Sequence, residues 1–306
     1  MQTVFGLDAI TTKWPPSTAC VGVFDGVHLG HAAIIREAVS RARLAGRPAV
    51  ALTFDRHPMA VLAPQNCPKS ILAPHANLRK MEAMGLDVVV VATFDRPFSQ
   101  LTASDFYRGV LLEKLNTAEM VVGHDFAFGH KRVGTAEWLA EQMPTHIHPP
   151  LEMDGVRISS SAVRKAIDDG RVADAGRLLG GSFCLEGVVV RGQRLGSRLG
   201  VPTANLSPLF NQVLPGAGIY AGRAEVRGNR YSCAISVGFR PTVSTAGFAV
   251  EAHLMDFKDG DLYGHSISLE FVERLRDEVA FESTSALTDQ MHVDIENARK
   301  VLIHHG

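Results

Sequence analysis

The chain has 306 residues, 46% hydrophobic and 21% charged, which suits about two ordinary domains at roughly 150 residues each and excludes a single small module or a disordered chain. Thirty-one Lys and Arg stand against 32 Asp and Glu. No overall field therefore draws the protein to nucleic acid or an anionic membrane, and an anionic ligand has to be held by local groups.

From the N-terminus, short β-branched runs alternate with helical patterns. Thr18 to Phe24 reads as a buried strand, His31 to Ala45 as a helix with Ile34, Ile35, Ala38, Val39 and Ala42 on one face, and Pro48 to Phe54 as a strand. Leu78 to Met84 reads as a helix, Asp87 to Phe94 as an apolar strand, Ser104 to Leu115 as a helix with a Ser/Asp start, and Glu119 to Gly123 as another strand. Strands separated by helices need crossover connections, which favour a mostly parallel sheet covered on both faces. Residues 1–182 are expected to form a doubly wound, Rossmann-like α/β domain.

Past Leu179 the rhythm changes to strands with few helices between them: Cys184 to Val190, Ile219 to Val226, Arg230 to Val237, Ala249 to Asp256 and Ser266 to Arg274. About six short strands punctuated by glycine and proline point to an antiparallel barrel or sandwich. Leu287 to Leu302 reads as one amphipathic helix packed on it. The boundary is expected at the Gly180-Gly181 pair, giving a second domain over 183–306. No apolar run approaches the ~18 to 20 residues that span a bilayer, and no basic start leads into an apolar stretch, so a cytoplasmic protein with no membrane association is expected. Cys20, Cys67, Cys184 and Cys233 show no CxxC pair or His at ligand spacing and are expected to be reduced, partly buried thiols.

Three segments of the first half could carry chemistry. VGVFDGVHLGH, Val21 to His31, puts a glycine-punctuated turn between a strand and a helix, with His28, Gly30 and His31 where the helix begins. Backbone N–H groups and the positive end of the helix dipole there suit a phosphate, two imidazoles can donate to phosphoryl oxygens, and Gly30 allows close approach. Histidines that merely cap and pack are the competing explanation. In VVGHDFAFGHKRVG, Asp125, Lys131 and Arg132 occupy a loop after a strand, where ligands of open α/β sheets bind, or else a solvated turn. In ISSSAVR, the serines suit an N-cap or a phosphate, whereas Arg164 in a first turn opposes the dipole unless an anion is near.

In the second half, GQRLGSRLGVPTAN joins a glycine-rich basic loop to a Pro-Thr-Ala-Asn turn. Its glycines permit close approach to phosphates, and Thr203 and Asn205 offer neutral oxygens suited to magnesium; a plain inter-strand loop is the alternative. Within VEAHLMDF, alternation puts Val250, Ala252 and Leu254 on one face and Glu251, His253 and Met255 on the other. Glu251 is either a general base or a solvent-exposed strand residue.

These segments, with TFDRHP, GIYAG, GFRPTV, DLYG and LEFVERLRDE, resemble the prokaryotic bifunctional riboflavin kinase/FAD synthetase family in order over essentially the whole chain. The resemblance implies a Rossmann-like nucleotidylyltransferase domain followed by a six-stranded antiparallel β-barrel with a C-terminal helix. It further implies phosphorylation of riboflavin by ATP in the second domain and adenylylation of FMN to FAD, with release of pyrophosphate, in the first. By resemblance, His28, His31 and Arg164 are catalytic in the first domain, and Gly22, Phe24, Asp25, Gly30, Asp125, Ser159 and Ser160 bind the substrates. In the second, Glu251 is the base, Thr203 and Asn205 hold magnesium with ATP, and Gly192, Arg194, Gly196, Gly200, Pro202 and Arg276 bind the nucleotide or flavin, with the region of Asp294 helping to enclose the flavin. Arg56, Thr135, Val201 and Ser236 depart from the usual pattern, and none removes a proposed catalytic group. Partners are expected to be small-molecule flavins and ATP, without nucleic acid, and any self-association to be weak or transient. A chain that keeps only the kinase, and a flavin-binding regulator without turnover, are the rivals.

Overall fold

The computed structural model describes residues 1–192, 195–240, 247–258 and 260–305. The chain forms two compact units, one of Met1–Pro68 with Pro74–Ser159, the other of Lys69–Ala73 with Ser160–Gly306.

In the first unit, β1 (Gln2–Phe5), β2 (Ser17–Val21), α1 (Leu29–Leu44), β3 (Ala49–Phe54), α2 (Pro74–Ala83), β4 (Val88–Ala92), β5 (Thr117–Gly123), α3 (Ala136–Gln142) and β6 (Thr145–His148) follow in chain order. The strands make one parallel sheet in the order β1-β4-β3-β2-β5-β6. All five residues of β2 are buried, as a central parallel strand covered on both faces requires. Ile35, Ala38, Ala42 and Met81 cover one face; Phe106, Leu111, Leu139 and Met143 cover the other.

Three details differ from the expectation. The strand read as Thr18 to Phe24 ends at Val21, and Phe24 is left-handed at φ +48°. The helix read from Ser104 to Leu115 starts as a single α turn, Ala103–Asp105, behind a Thr102 capping box, and continues as a π-helix over Phe106–Lys114. The edge strands β1 and β6 carry no apolar run: only Val4 of β1 is buried and none of β6.

The second unit starts with α4 (Ser160–Asp168) and α5 (Val172–Leu179), the latter ended by Gly180 at φ +66°. Then come β7 (Phe183–Val190), β8 (Ala204–Pro208), β9 (Gly218–Val226), β10 (Asn229–Arg240), β11 (Gly247–Leu254), β12 (Ser266–Arg276) and α6 (Thr284–His304). The six strands close into an antiparallel barrel in the order β7-β8-β11-β10-β9-β12. Phe183, Tyr220 and Phe271 are fully buried, with Phe271 in ring contact with both others. Ala298 and Leu302 of α6 pack on Ala221, Val272 and Met255. The face opposite the aliphatic stripe of β11 is thus partly roofed by α6, and Met255, just past the strand end at Leu254, is buried there.

Lys69–Ala73 joins this unit as a short strap. Ser70 N–H donates to the Asn211 carbonyl and Val213 N–H to the Ser70 carbonyl, both at 2.8 Å. Buried Gln212 donates to the carbonyls of Ile71 and Cys184 and accepts from Glu186 N–H. Ile71, Leu72 and Ala73 are buried in turn.

Candidate active sites

In the first unit, the chain runs from β2 outward through β3 and β4, then returns to place β5 on the other side of β2. The reversal makes the carboxyl ends of β2 and β5 the switch point at which open α/β sheets form their ligand crevice. The histidine-bearing turn follows β2, and His124-Asp125 follows β5.

His28 caps α1: its Nδ1 accepts the His31 N–H at 3.2 Å, which places the proton of the neutral ring on Nε2 as a donor. The His28 and His31 rings stack at 3.7 Å and 18°, and Phe24 meets His31 edge-on at 5.3 Å. No acidic residue occupies the first turn of α1. A Cβ at Gly30 would lie 3.2 Å from the His28 ring, so Gly30 makes room for that ring. Gly22 N–H donates to the Leu52 carbonyl, and Phe24 and Asp25 are buried below the turn. Gly26 is held from α2, where Asn77 Oδ1 accepts its N–H and Lys80 Nζ donates to its carbonyl.

Asp125 is exposed, and Arg157 Nη2 donates to its Oδ2 at 2.5 Å. Lys131 and Arg132 are exposed and left-handed at φ +56° and +60°. Ser159 ends the first unit and Ser160 opens α4 in the second. Arg164 is the fifth residue of α4, beyond the first turn that the sequence argument assumed, and its Nε donates to the Lys69 carbonyl at 2.7 Å. A backbone oxygen thus meets the cation that seemed to require an anion.

In the second unit, a cavity of about 320 Å³ lies between the outer barrel face and α6, lined by Thr203, Ser236, Glu251 and His253 and roofed by Met291 and Ile295. That volume is at the lower end of small-molecule sites. Thr203, just ahead of β8, donates from Oγ1 to Glu251 Oε2 at 2.9 Å. Glu251 sits between Asn205 of β8 and Ser236 of β10 in the cross-strand register, so three polar residues stand side by side. His253 Nδ1 and the Pro202 carbonyl are 2.8 Å apart, and the carbonyl can only accept.

The glycines of the preceding loop have steric causes. A Cβ at Gly192 would lie 2.4 Å from the Asn205 amide, and one at Gly196 2.3 Å from the Val201 carbonyl oxygen; Gly200 is left-handed at φ +80°. Arg194 lies outside the described residues. Arg276, ending β12, holds Asp294 of α6 through Nε at 2.8 Å and Nη2 at 2.6 Å, and Gln290 also donates to Asp294. The guanidinium lies 5.9 Å from the Phe281 ring centre.

Sequence reasoning missed Asn77, Lys80 and Arg157. The first two fall on or beside a helix expected to start at Leu78, and Arg157 precedes the serine motif; their only signal was being polar. Among the described residues no group of three His, Cys, Asp or Glu could hold a metal. Burial pushes the Cys20 thiol up to about 12 and the Cys233 thiol higher still.

A family model for FAD synthetase matches residues 10–162, and one for riboflavin kinase matches 179–302. A bifunctional riboflavin kinase/FMN adenylyltransferase of Pseudomonas fluorescens is 34% identical over 98% of this chain and 97% of its own. Its counterpart from Escherichia coli K12 is 35% identical over 93% of each chain. A Streptococcus pneumoniae crystal structure described as a macrolide-efflux protein superposes with a TM-score of 0.90 at 33% identity, over 98% of this chain and 99% of that one. Among the described residues here, no helix is long and apolar enough to cross a membrane.

Proposed function

The chain belongs to the bifunctional riboflavin kinase/FMN adenylyltransferase family, an enzyme that phosphorylates riboflavin and adenylylates FMN, and we propose how its residues divide that work. Residues 183–306 carry the kinase and residues 1–182 the adenylyltransferase, with the boundary at Gly180-Gly181.

In the kinase, Glu251 takes the proton of the ribityl 5′-hydroxyl as that oxygen attacks the γ-phosphorus of ATP; the bond to the β-phosphate oxygen breaks and ADP leaves. Thr203 fixes the carboxylate by donating to Oε2. Gly192, Gly196, Gly200 and Pro202 bring the loop backbone close to the nucleotide, and Arg194 adds charge. Arg276 and Asp294 hold α6 as the wall against the flavin. Magnesium fits this donor set: Thr203 and Asn205 present hard neutral oxygens, Gly192 leaves the Asn205 amide its space, and a bound ion would share the triphosphate charge.

In the adenylyltransferase, an FMN phosphate oxygen attacks the α-phosphorus of ATP and the α–β bridging bond breaks, releasing pyrophosphate. No enzyme nucleophile is needed. His28, donating from Nε2, His31 and the amino end of α1 stabilise the charge that develops on the phosphoryl oxygens. Gly22, Phe24, Asp25 and Gly30 shape the nucleotide side, Asp125 the flavin side, and Ser159, Ser160 and Arg164 contact phosphate.

The observation that carries the kinase assignment is the Thr203–Glu251 hydrogen bond inside the 320 Å³ cavity. Glu251→Gln tests it. FMN formation from riboflavin is expected to disappear while adenylylation of supplied FMN persists; FMN formation at the wild-type rate overturns the assignment. A kinase-only chain is not favoured, because the FAD synthetase model spans residues 10–162. We place the enzyme in the cytoplasm, with flavins and ATP as its partners, no nucleic acid, and self-association no more than weak or transient. Light scattering on the purified protein checks the last point, which a stable oligomer overturns.

A further inference from the structure

Between β2 and α1 the backbone enters the left-handed region three times in four residues: φ is +48° at Phe24, +78° at Gly26 and +40° at Val27. Glycine adopts such angles freely. A β-branched Val there is an outlier that persists only where its surroundings over-determine it.

Burial supplies part of that constraint, since Phe24 and Val27 are almost fully buried. The Val23 carbonyl is also held, by Thr53 Oγ1 at 3.0 Å. The remainder comes from α2: Asn77 Oδ1 accepts the Gly26 N–H at 2.9 Å and Lys80 Nζ donates to the Gly26 carbonyl at 3.3 Å. Positions 77, 80 and 81 share a helix face, and Met81 is 1% exposed, so that face is the one turned to the core. Helix propensity gives no reason for Asn at position 77, because Asn is a poor helix former. Its amide and the Lys80 ammonium instead fix the two peptide groups that flank one residue of the turn.

Two residues on, His28 caps α1 and stacks on His31. Any shift of the 25–27 turn is passed to both imidazoles. We propose that Asn77 and Lys80 are positioning residues for adenylyl transfer: by clamping Gly26 they set where the His28–His31 pair and the amino end of α1 stand relative to the reacting phosphates. The inference rests on the assignment of these two histidines to adenylylation.

Full-length Asn77→Ala, Asn77→Asp, Lys80→Met and Lys80→Arg test it, with FAD formation from supplied FMN as the readout and FMN formation from riboflavin as a control in the same preparation. For Asn77→Ala, kcat for FAD formation is expected to fall about 10- to 100-fold, the range for lost positioning groups, with KM for FMN and ATP and the kinase activity little changed. Asn77→Asp keeps an acceptor oxygen and is expected to recover most of the loss. Lys80→Met lowers kcat in the same direction and Lys80→Arg restores it. Wild-type kcat in Asn77→Ala, or no recovery in Asn77→Asp, overturns the proposal. If Asn77→Ala does not accumulate folded, Lys80→Met, which keeps the aliphatic stem, decides by the same criterion. A wild-type chain that makes no FAD overturns the adenylyltransferase assignment instead.

Discussion

Asp294→Ala probes what keeps α6 over the kinase cavity. The Asp294 side chain is 7% exposed and that of Arg276 24%, and the pair is bidentate at 2.8 and 2.6 Å, with Gln290 adding a third donor to Asp294 at 2.9 Å. Removing one partner of a buried ion pair costs 3–5 kcal/mol, chiefly because the other charge stays behind; the exposure of Arg276, and its bond to the Asp277 carbonyl, put the cost near the low end, about 3 kcal/mol. For a unit of about 150 residues, each kcal/mol lowers Tm by roughly 2–4 °C, so the transition of this unit should fall by about 6–12 °C. Leu287, Met291 and Ile295 of α6 line the cavity, so riboflavin should also bind more weakly. Calorimetry and flavin titration on the full-length variant measure both quantities, and Asp294→Asn, which keeps acceptor oxygen but no charge, should lie between. An Asp294→Ala protein that melts within about 2 °C of wild type and binds riboflavin equally would refute the reasoning.

Gly196→Ala would place a Cβ 2.3 Å from the Val201 carbonyl oxygen and displace the segment leading to Thr203; FMN formation is expected to drop about 100-fold, as an ångström-scale misplacement of reacting groups does, with adenylylation retained. Full kinase activity in that variant would show that the loop accommodates a side chain. The thiolate is the form that alkylating reagents attack, and burial holds Cys20 at about 12 and Cys233 higher, so at pH 8 neither should ionise in the native protein. Iodoacetamide followed by mass spectrometry is expected to mark only the half-buried Cys67 and Cys184, and native labelling of Cys20 would contradict the burial.

The central strands were legible because strands buried on both faces read as continuous apolar runs, Val88 to Ala92 most plainly. Edge strands lack that signal, which is why Gln2–Phe5 and Thr145–His148 were missed. At Phe24 the apolar neighbours suggested extended chain, but tertiary burial of Val27 holds the turn left-handed instead. The histidine turn stands out by type and spacing, whereas Glu251 is singled out only through the family resemblance; alternation put it opposite the aliphatic stripe, where the structure has it. What alternation could not supply is partnership between distant segments. Arg157 on Asp125, Asp294 on Arg276 and Asn77 on Gly26 lie 32, 18 and 51 residues apart in the chain. The helix over Ser104 to Leu115 was legible from its Ser/Asp start, but its π geometry over Phe106–Lys114 leaves no such signal in the residue types.

Because Lys69–Ala73 is a component of the barrel unit, that unit is assembled from material made at two times during translation. The strap leaves the ribosome long before its acceptor at Asn211 to Val213 exists, and Ile71 and Leu72 must wait for a surface to cover them. Exchanging segments between relatives at a single crossover near Gly181 would then deliver a barrel beside a foreign strap, and sequence matching at positions 69–73 and 211–213 would decide which chimaeras survive.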